Sequence, residues 1–231
     1  MSIKEWVEEE RPREMLIKNG SENLPLSKLI AIILRTGSGG TNAEELAKKL
    51  INRFRTLRAI DAATISELCE IDGIGPAKAS QIKSSLEIGK RFCKERVEKA
   101  AKLNSPKDVI AYVSGYYGPY LRDSKNEFFH AIFLDAKNKP LDNVALSKGS
   151  SDASVVDPKE IVRQASLKSA SSIVLVHNHP SGDTAPSKED IETTKLIVSV
   201  CSLIGVSVID HIIIGKNEED YLSFSEEGLI S

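Results

Sequence analysis

Apolar residues recur at helical spacing through the first hundred positions, and no strand-like alternation appears before residue 105. Leu29 to Leu34 is a short apolar run, broken by Thr36-Gly37-Ser38-Gly39-Gly40. Thr41, with Glu44 three residues on, reads as a capping box. The helix it opens puts Leu46, Ala47, Leu50 and Ile51 on one face. A second helical unit runs from Thr64 to about Arg96, interrupted at Gly73 and Gly75.

The period then changes. Pro106 suits a first helical position, with Asp108 adding favourable charge to that turn. Glu127 to Leu134 reads as a strand, Lys137-Asn138-Lys139-Pro140 as a turn and Leu141 to Leu146 as a returning strand. Asp157 caps a helix that starts at Pro158. Ser172 to Val176 is a short buried strand, Ser187 to about Leu203 a helix that stops at Gly205, and Val206 to Ile214 a last strand. An all-α domain over residues 1–103 followed by an α/β domain over 104–231 is the organisation this predicts.

At 231 residues, 41% of them hydrophobic, the chain can build two cores, and aromatics at 5% make those cores aliphatic. The net charge of −2 hides an asymmetry. Residues 1–104 carry 19 Lys and Arg against 15 Asp and Glu, and residues 105–231 carry 12 against 18. A basic half joined to an acidic half implies two different jobs. Cys69, Cys93 and Cys201 are scattered and odd in number, the pattern of reduced thiols in a cytoplasmic protein. The charged stretch Met1 to Arg13 lacks the apolar region of a leader, and no apolar run reaches membrane-spanning length, so no membrane partner is expected.

The strongest chemical signal is His177-Asn178-His179, seven residues, Ser187, two residues and Asp190. Two histidines one residue apart on an extended segment point the same way and can reach one ion. The loop between, with Pro180, Gly182 and Pro186, is tight, and it returns the chain to a helix start where Asp190 lies in the first turn. Two imidazoles and one carboxylate suit Zn2+, and three protein ligands leave a fourth position for water. Ser187 and Asp190 also fit a helix cap and its partner, a role compatible with ligation.

This pattern resembles the JAMM motif of MPN/JAB metalloproteases. The longer string His177-Asn178-His179-Pro180-Ser181-Gly182-Asp183, with Pro186, Ser187 and Asp190, resembles the RadC family more closely, and the likeness extends to the preceding helical unit. It implies an MPN/JAB domain with cytidine-deaminase-like layering over 104–231, with His177, His179 and Asp190 as zinc ligands. It implies Glu127 as the base that activates water and Ser187 as an oxyanion stabiliser; spacing alone selects neither. The implied reaction is hydrolysis of an amide, in a peptide or isopeptide substrate, in a DNA-repair setting. Asp183 reads as a turn residue after Gly182, and His130 and His211 read as packing residues.

A second signal is Ile71-Asp72-Gly73-Ile74-Gly75-Pro76-Ala77-Lys78-Ala79, which resembles a helix-hairpin-helix motif. Gly73 and Gly75 permit the turn, and the N–H groups of the following helix start could hold a DNA phosphate with Lys78 in reach. Ser80, Lys83, Lys90 and Arg91 extend the polar and basic character, and Arg35-Thr36-Gly37 reads as a degenerate second copy. The rival readings are a metal-dependent nuclease and a DNA-binding repair adaptor whose zinc site is structural or inactive. The oligomeric state is not legible.

Overall fold

A computed structural model describes residues 6–100, 102–148 and 156–230. The chain divides into two compact units, Met1–Arg91 and Phe92–Ser231.

The first unit is helical. Helix α1 (Pro12–Asn19) and α2 (Leu26–Leu34) precede α3 (Ala43–Phe54), α4 (Leu57–Ala62) and α5 (Ile65–Cys69), and α6 (Pro76–Ala100) starts in this unit and runs on past its end. Leu34, Leu46, Ala47, Leu50, Ile60, Leu68, Ile74 and Ala79 form its core. The face predicted for α3 is therefore buried, although Ile51 is only partly so. Its cap lies one residue later than expected: Asn42, not Thr41, accepts from Glu45 N at 2.9 Å, and Glu45 returns the bond to Asn42 N at 3.0 Å. Glu44 instead turns into the unit, where Lys48 meets it at 2.9 Å and Lys28 at 3.7 Å.

The sequence placed a boundary at 103/104, whereas the units divide within α6. The last turns of that helix belong with the second unit because Val97 packs on its core and the Lys94 ammonium lies 4.2 Å from the Tyr116 ring centroid.

The second unit begins with α7 (Pro106–Tyr116), whose N-cap Ser105 accepts from Asp108 N, and the short α8 (Gly118–Leu121). Strand β1 (Phe128–Leu134) and β2 (Pro140–Lys148) form a hairpin around Asn138, which adopts φ 57°. Helix α9 (Pro158–Lys168), capped by Asp157, leads to β3 (Ser172–Asn178). Helix α10 (Lys188–Ser202) leads through Gly205, at φ 73°, to β4 (Ser207–Ile214) and β5 (Tyr221–Ser223). The short β5 was not foreseen.

The five strands form one mixed sheet in the order β2-β1-β3-β4-β5, with β3 and β4 parallel and the other pairs antiparallel. Ile132, Leu134, Val174, Val176, Ile212 and Ile214 meet α7 and α8 on one face. Phe129, Ala131, Phe133, Ile173 and Leu175 meet α9 and α10 on the other. Alternation along each strand thus supplies both layers with apolar side chains. Strand β3 is buried along its whole length. Among the described residues no helix is long and apolar enough to cross a membrane.

Candidate metal centre

Strand β3 outruns its expected end at Val176 by two residues, since Phe129 pairs with His177 and Phe128 with Asn178. His177 is therefore inside the sheet and fully buried, while His179 follows the last strand residue and is partly exposed. Both project towards the N-terminus of α10. There Ser187 and Asp190 form a reciprocal capping box: Asp190 N donates to Ser187 Oγ at 3.0 Å, and Ser187 N donates to Asp190 Oδ2 at 2.7 Å. Ser187 Oγ also donates to that carboxylate oxygen at 2.7 Å. Capping and clustering coexist because Oδ2 takes the cap and Oδ1 faces His177.

The two Nε2 atoms are 2.9 Å apart, Asp190 Oδ1 is 3.4 Å from His177 Nε2, and Asp190 Oδ2 is 3.3 Å from His179 Nε2. A tetrahedral ion with arms of about 2.0–2.1 Å separates its ligand atoms by roughly 3.3–3.4 Å. The two imidazole–carboxylate separations match that value, each to a different oxygen of Asp190, and the imidazole–imidazole separation is shorter. Among the described residues, His177, His179 and Asp190 are the group of three metal-binding side chains that converges in this way. The far nitrogens are occupied: His177 Nδ1 lies 2.7 Å from His211 Nε2, and His179 Nδ1 lies 2.7 Å from the Asp183 carbonyl. The donor set and its outer partners fit a zinc ion.

The electrostatics agree. Burial alone would raise the Asp190 carboxyl, but the His179 hydrogen bond, the electrostatic pull of the nearby His177 ring and the Ser187 donors outweigh it and hold the group well below the carboxylate range. His179 is raised by its bond to Asp190 against the opposing effect of burial. Burial lowers His177 to about 4 and holds His211 well below the usual imidazole range, so both buried rings are neutral.

Glu127 sits one residue before β1. Phe128 is opposite Asn178, so the antiparallel register carries Glu127 to the level of His179. Its surroundings act on it accordingly: burial raises its carboxyl, His179 opposes this and Asp190 adds to it. Asn178, the middle residue of the His-x-His string, fixes that segment from both sides. Its Oδ1 accepts from Phe128 N at 3.0 Å and its Nδ2 donates to the Asn126 carbonyl at 3.1 Å.

Asp183 serves the loop twice. Its side chain accepts from Ala185 N at 3.0 Å, as a turn residue does, and its carbonyl takes the His179 ring. Gly182, at φ 79°, donates to the His179 carbonyl at 2.9 Å, and a Cβ there would meet Lys216 Cγ at 2.5 Å. His130 is remote from this cluster; its ring lies 4.8 Å from that of Tyr117, and burial lowers it to about 4. His211, read as packing, touches His177 directly.

In the first unit, α5 is followed by a turn holding Gly73 at φ 93° and then by α6. Gly75 has no such φ. Lys78 Nζ donates to the Gly37 and Gly73 carbonyls, each at 3.0 Å, and so ties the two glycine turns together. Lys83 donates to the Asp61 and Ala63 carbonyls, Lys90 pairs with Asp61 and Glu87, and Arg91 pairs with Glu87. Lys78, Lys83, Lys90 and Arg91 of α6 thus have acidic or carbonyl partners close by.

Comparison with known proteins follows these two units. The RadC-like JAB domain family matches residues 103–229, and the UPF0758 N-terminal family matches residues 3–80. A UPF0758 protein of Coprothermobacter proteolyticus is 46% identical, over 99% of this chain and 96% of its own length. UPF0758 proteins of Geotalea uraniireducens and Methanosarcina mazei are each 41% identical, over 99% of this chain and 98% and 96% of their own lengths.

Proposed function

The chain belongs to the RadC-like JAB domain family, and on that premise we propose that its second unit is a zinc-dependent hydrolase of amide bonds, acting on a peptide or isopeptide. The observation that supports this best is the convergence of two imidazole nitrogens and one carboxylate with their far sides already hydrogen-bonded, beside a glutamate at the same level of the sheet. A bound zinc supplies Lewis acidity and makes water acidic near neutral pH, and three protein ligands leave it a position for that water.

The remaining chemistry falls to the protein. Glu127, raised by burial, is suited both to take a proton from the attacking water and to return it to the departing amine. Ser187 Oγ lies beside the cluster with its single proton directed at Asp190, 2.7 Å away, and serving a developing oxyanion requires that proton to turn from the carboxylate to the substrate. The mixed sheet with helices on both faces supports the cytidine-deaminase-like layering proposed for this unit. A purely structural zinc would call for a fourth protein ligand rather than a neighbouring glutamate, and a nuclease of the two-ion kind would need a second cluster. The test is Glu127→Gln: zinc retained and amide hydrolysis abolished is the expected result, and full activity would refute the role.

For the first unit we propose a helix-hairpin-helix that binds the DNA backbone, in a repair setting. The support is the glycine turn at Gly73 leading into the N-terminus of α6. Lys78 braces the two turns there through two carbonyl bonds, which leaves one ammonium proton for a phosphate. Affinity for duplex DNA that falls between low and moderate salt is the expected behaviour; affinity indifferent to salt would leave the hairpin as a packing element.

A further inference from the structure

His211 and Thr194 lie outside the ligand set, yet they complete an unbroken hydrogen-bonded line behind it. Thr194 is on α10, one turn after Asp190, and both Thr194 and His211 are fully buried. Thr194 Oγ1 lies 2.6 Å from the Asp190 carbonyl and 2.7 Å from His211 Nδ1. His211 Nε2 lies 2.7 Å from His177 Nδ1.

The direction of every bond in this line follows from its end. A carbonyl only accepts, so the single Thr194 hydroxyl proton goes to Asp190. Thr194 Oγ1 must then accept, which places a proton on His211 Nδ1. A neutral ring carries one proton, so His211 Nε2 is a bare lone pair. His177 Nδ1 must donate to it, and His177 Nε2 is left unprotonated, facing His179 and Asp190. We propose that Thr194 and His211 are positioning residues that fix the tautomer of His177 and so present its Nε2 lone pair to the metal.

The fold spends a backbone irregularity on this arrangement. Val208 pairs with Ile173, but Val174 pairs with Asp210, so Ile209 is an extra residue in β4. Val208 and His211 both face the α9–α10 layer, which an odd step of three residues forbids in regular alternation. The bulge restores His211 to the side of the ligands. Phe129 and Phe224 wall the ring at 5.2 and 4.5 Å between centroids, and Asp210, on the other face, holds the strand by accepting from Ser223 Oγ and from the N–H groups of His211 and Ser225.

The inference rests on the zinc reading of the site, and its test separates the two. Thr194→Val keeps shape and removes the hydroxyl, and Thr194→Ser restores it. Nitrogen-15 spectra of metal-free protein at neutral pH report which nitrogen of His177 carries the proton, and competition with a chromophoric chelator reports zinc affinity. We expect His177 protonated at Nδ1 in the natural protein and in Thr194→Ser. In Thr194→Val we expect a mixed or reversed tautomer and zinc affinity lower by about 10–100-fold, with an unchanged circular dichroism spectrum. Equal zinc affinity and an unchanged tautomer in Thr194→Val would overturn the relay while leaving the zinc site. A tautomer that responds as expected in a protein that binds no zinc would support the relay and overturn the zinc reading.

Discussion

Asn178 grips the backbone on both sides of Glu127. Its side-chain oxygen accepts from Phe128 N and its side-chain nitrogen donates to the Asn126 carbonyl, at 3.0 and 3.1 Å. The residue between the two proposed ligands thereby fixes the group proposed as base, and both hang on the stretch of chain at the end of β3. Asn178→Ala removes the grip without touching a ligand. We expect zinc content to be unchanged, hydrolysis of an amide that the natural protein cleaves to fall about 100-fold through misplacement of the base, and stability to drop by about 1–3 kcal/mol from two unpaired backbone groups. Paired zinc and rate measurements check this; loss of zinc with the rate would show that Asn178 serves the ligands instead.

Buried histidines set the acid limit of the metal-free protein. His130 and His177 are lowered to about 4 by burial, and His211 well below its ordinary value. In the unfolded chain each binds a proton near pH 6.5, so between about 6.5 and 4 the unfolded state holds more protons and stability is lost as pH falls. His130 alone contributes up to about 3 kcal/mol of this dependence. Urea unfolding across that window should show a steep loss, shallower in His130→Phe. Equal slopes would contradict the assignment.

His179 has the opposite sign. Its bond to Asp190 raises it, so that contribution is present below about pH 6.5 and vanishes as pH rises through the raised value. A zinc ion competes with this proton. Calorimetric titration in two buffers of different ionisation heat should therefore reveal proton release on zinc binding at pH 6.5, and less at pH 8.5. Binding without proton release at pH 6.5 would place the metal elsewhere.

In the first unit, Gly73→Ala forces an L side chain into φ 93° and brings its Cβ to 3.2 Å from Leu46 Cδ1. A cost of about 1–2 kcal/mol is expected. Lys78→Met loses two carbonyl bonds and should lower the melting temperature comparably. A Lys78→Met variant that melts like the natural protein but loses DNA affinity would return Lys78 to phosphate binding.

Most of the second unit can be read along the chain because its strands are short apolar runs punctuated by Pro, Gly and capped helices. The convergence of His177, His179 and Asp190 could be read as well, because two histidines two apart and a carboxylate in a helix's first turn are local patterns. Glu127 could be reached only by resemblance, since its place beside His179 is set by pairing across some fifty residues. His211 escaped for a sharper reason. Its neighbour Asp210 does face the other way, as alternation requires, but the extra residue Ile209 decides which face His211 takes, and a bulge has no signature in one sequence. The cap at Asn42 was displaced because Thr41–Glu44 and Asn42–Glu45 both fit the pattern, and burial of Glu44 against Lys28 and Lys48 selects the second.

His177, His179 and Asp190 are proposed to hold one metal ion. Elemental analysis of protein purified without a histidine tag, beside Asp190→Ala, tests it most directly. About one zinc per chain, lost in the variant, is the predicted result. No metal in either protein after added zinc would contradict the hydrolase reading and favour a DNA-binding adaptor.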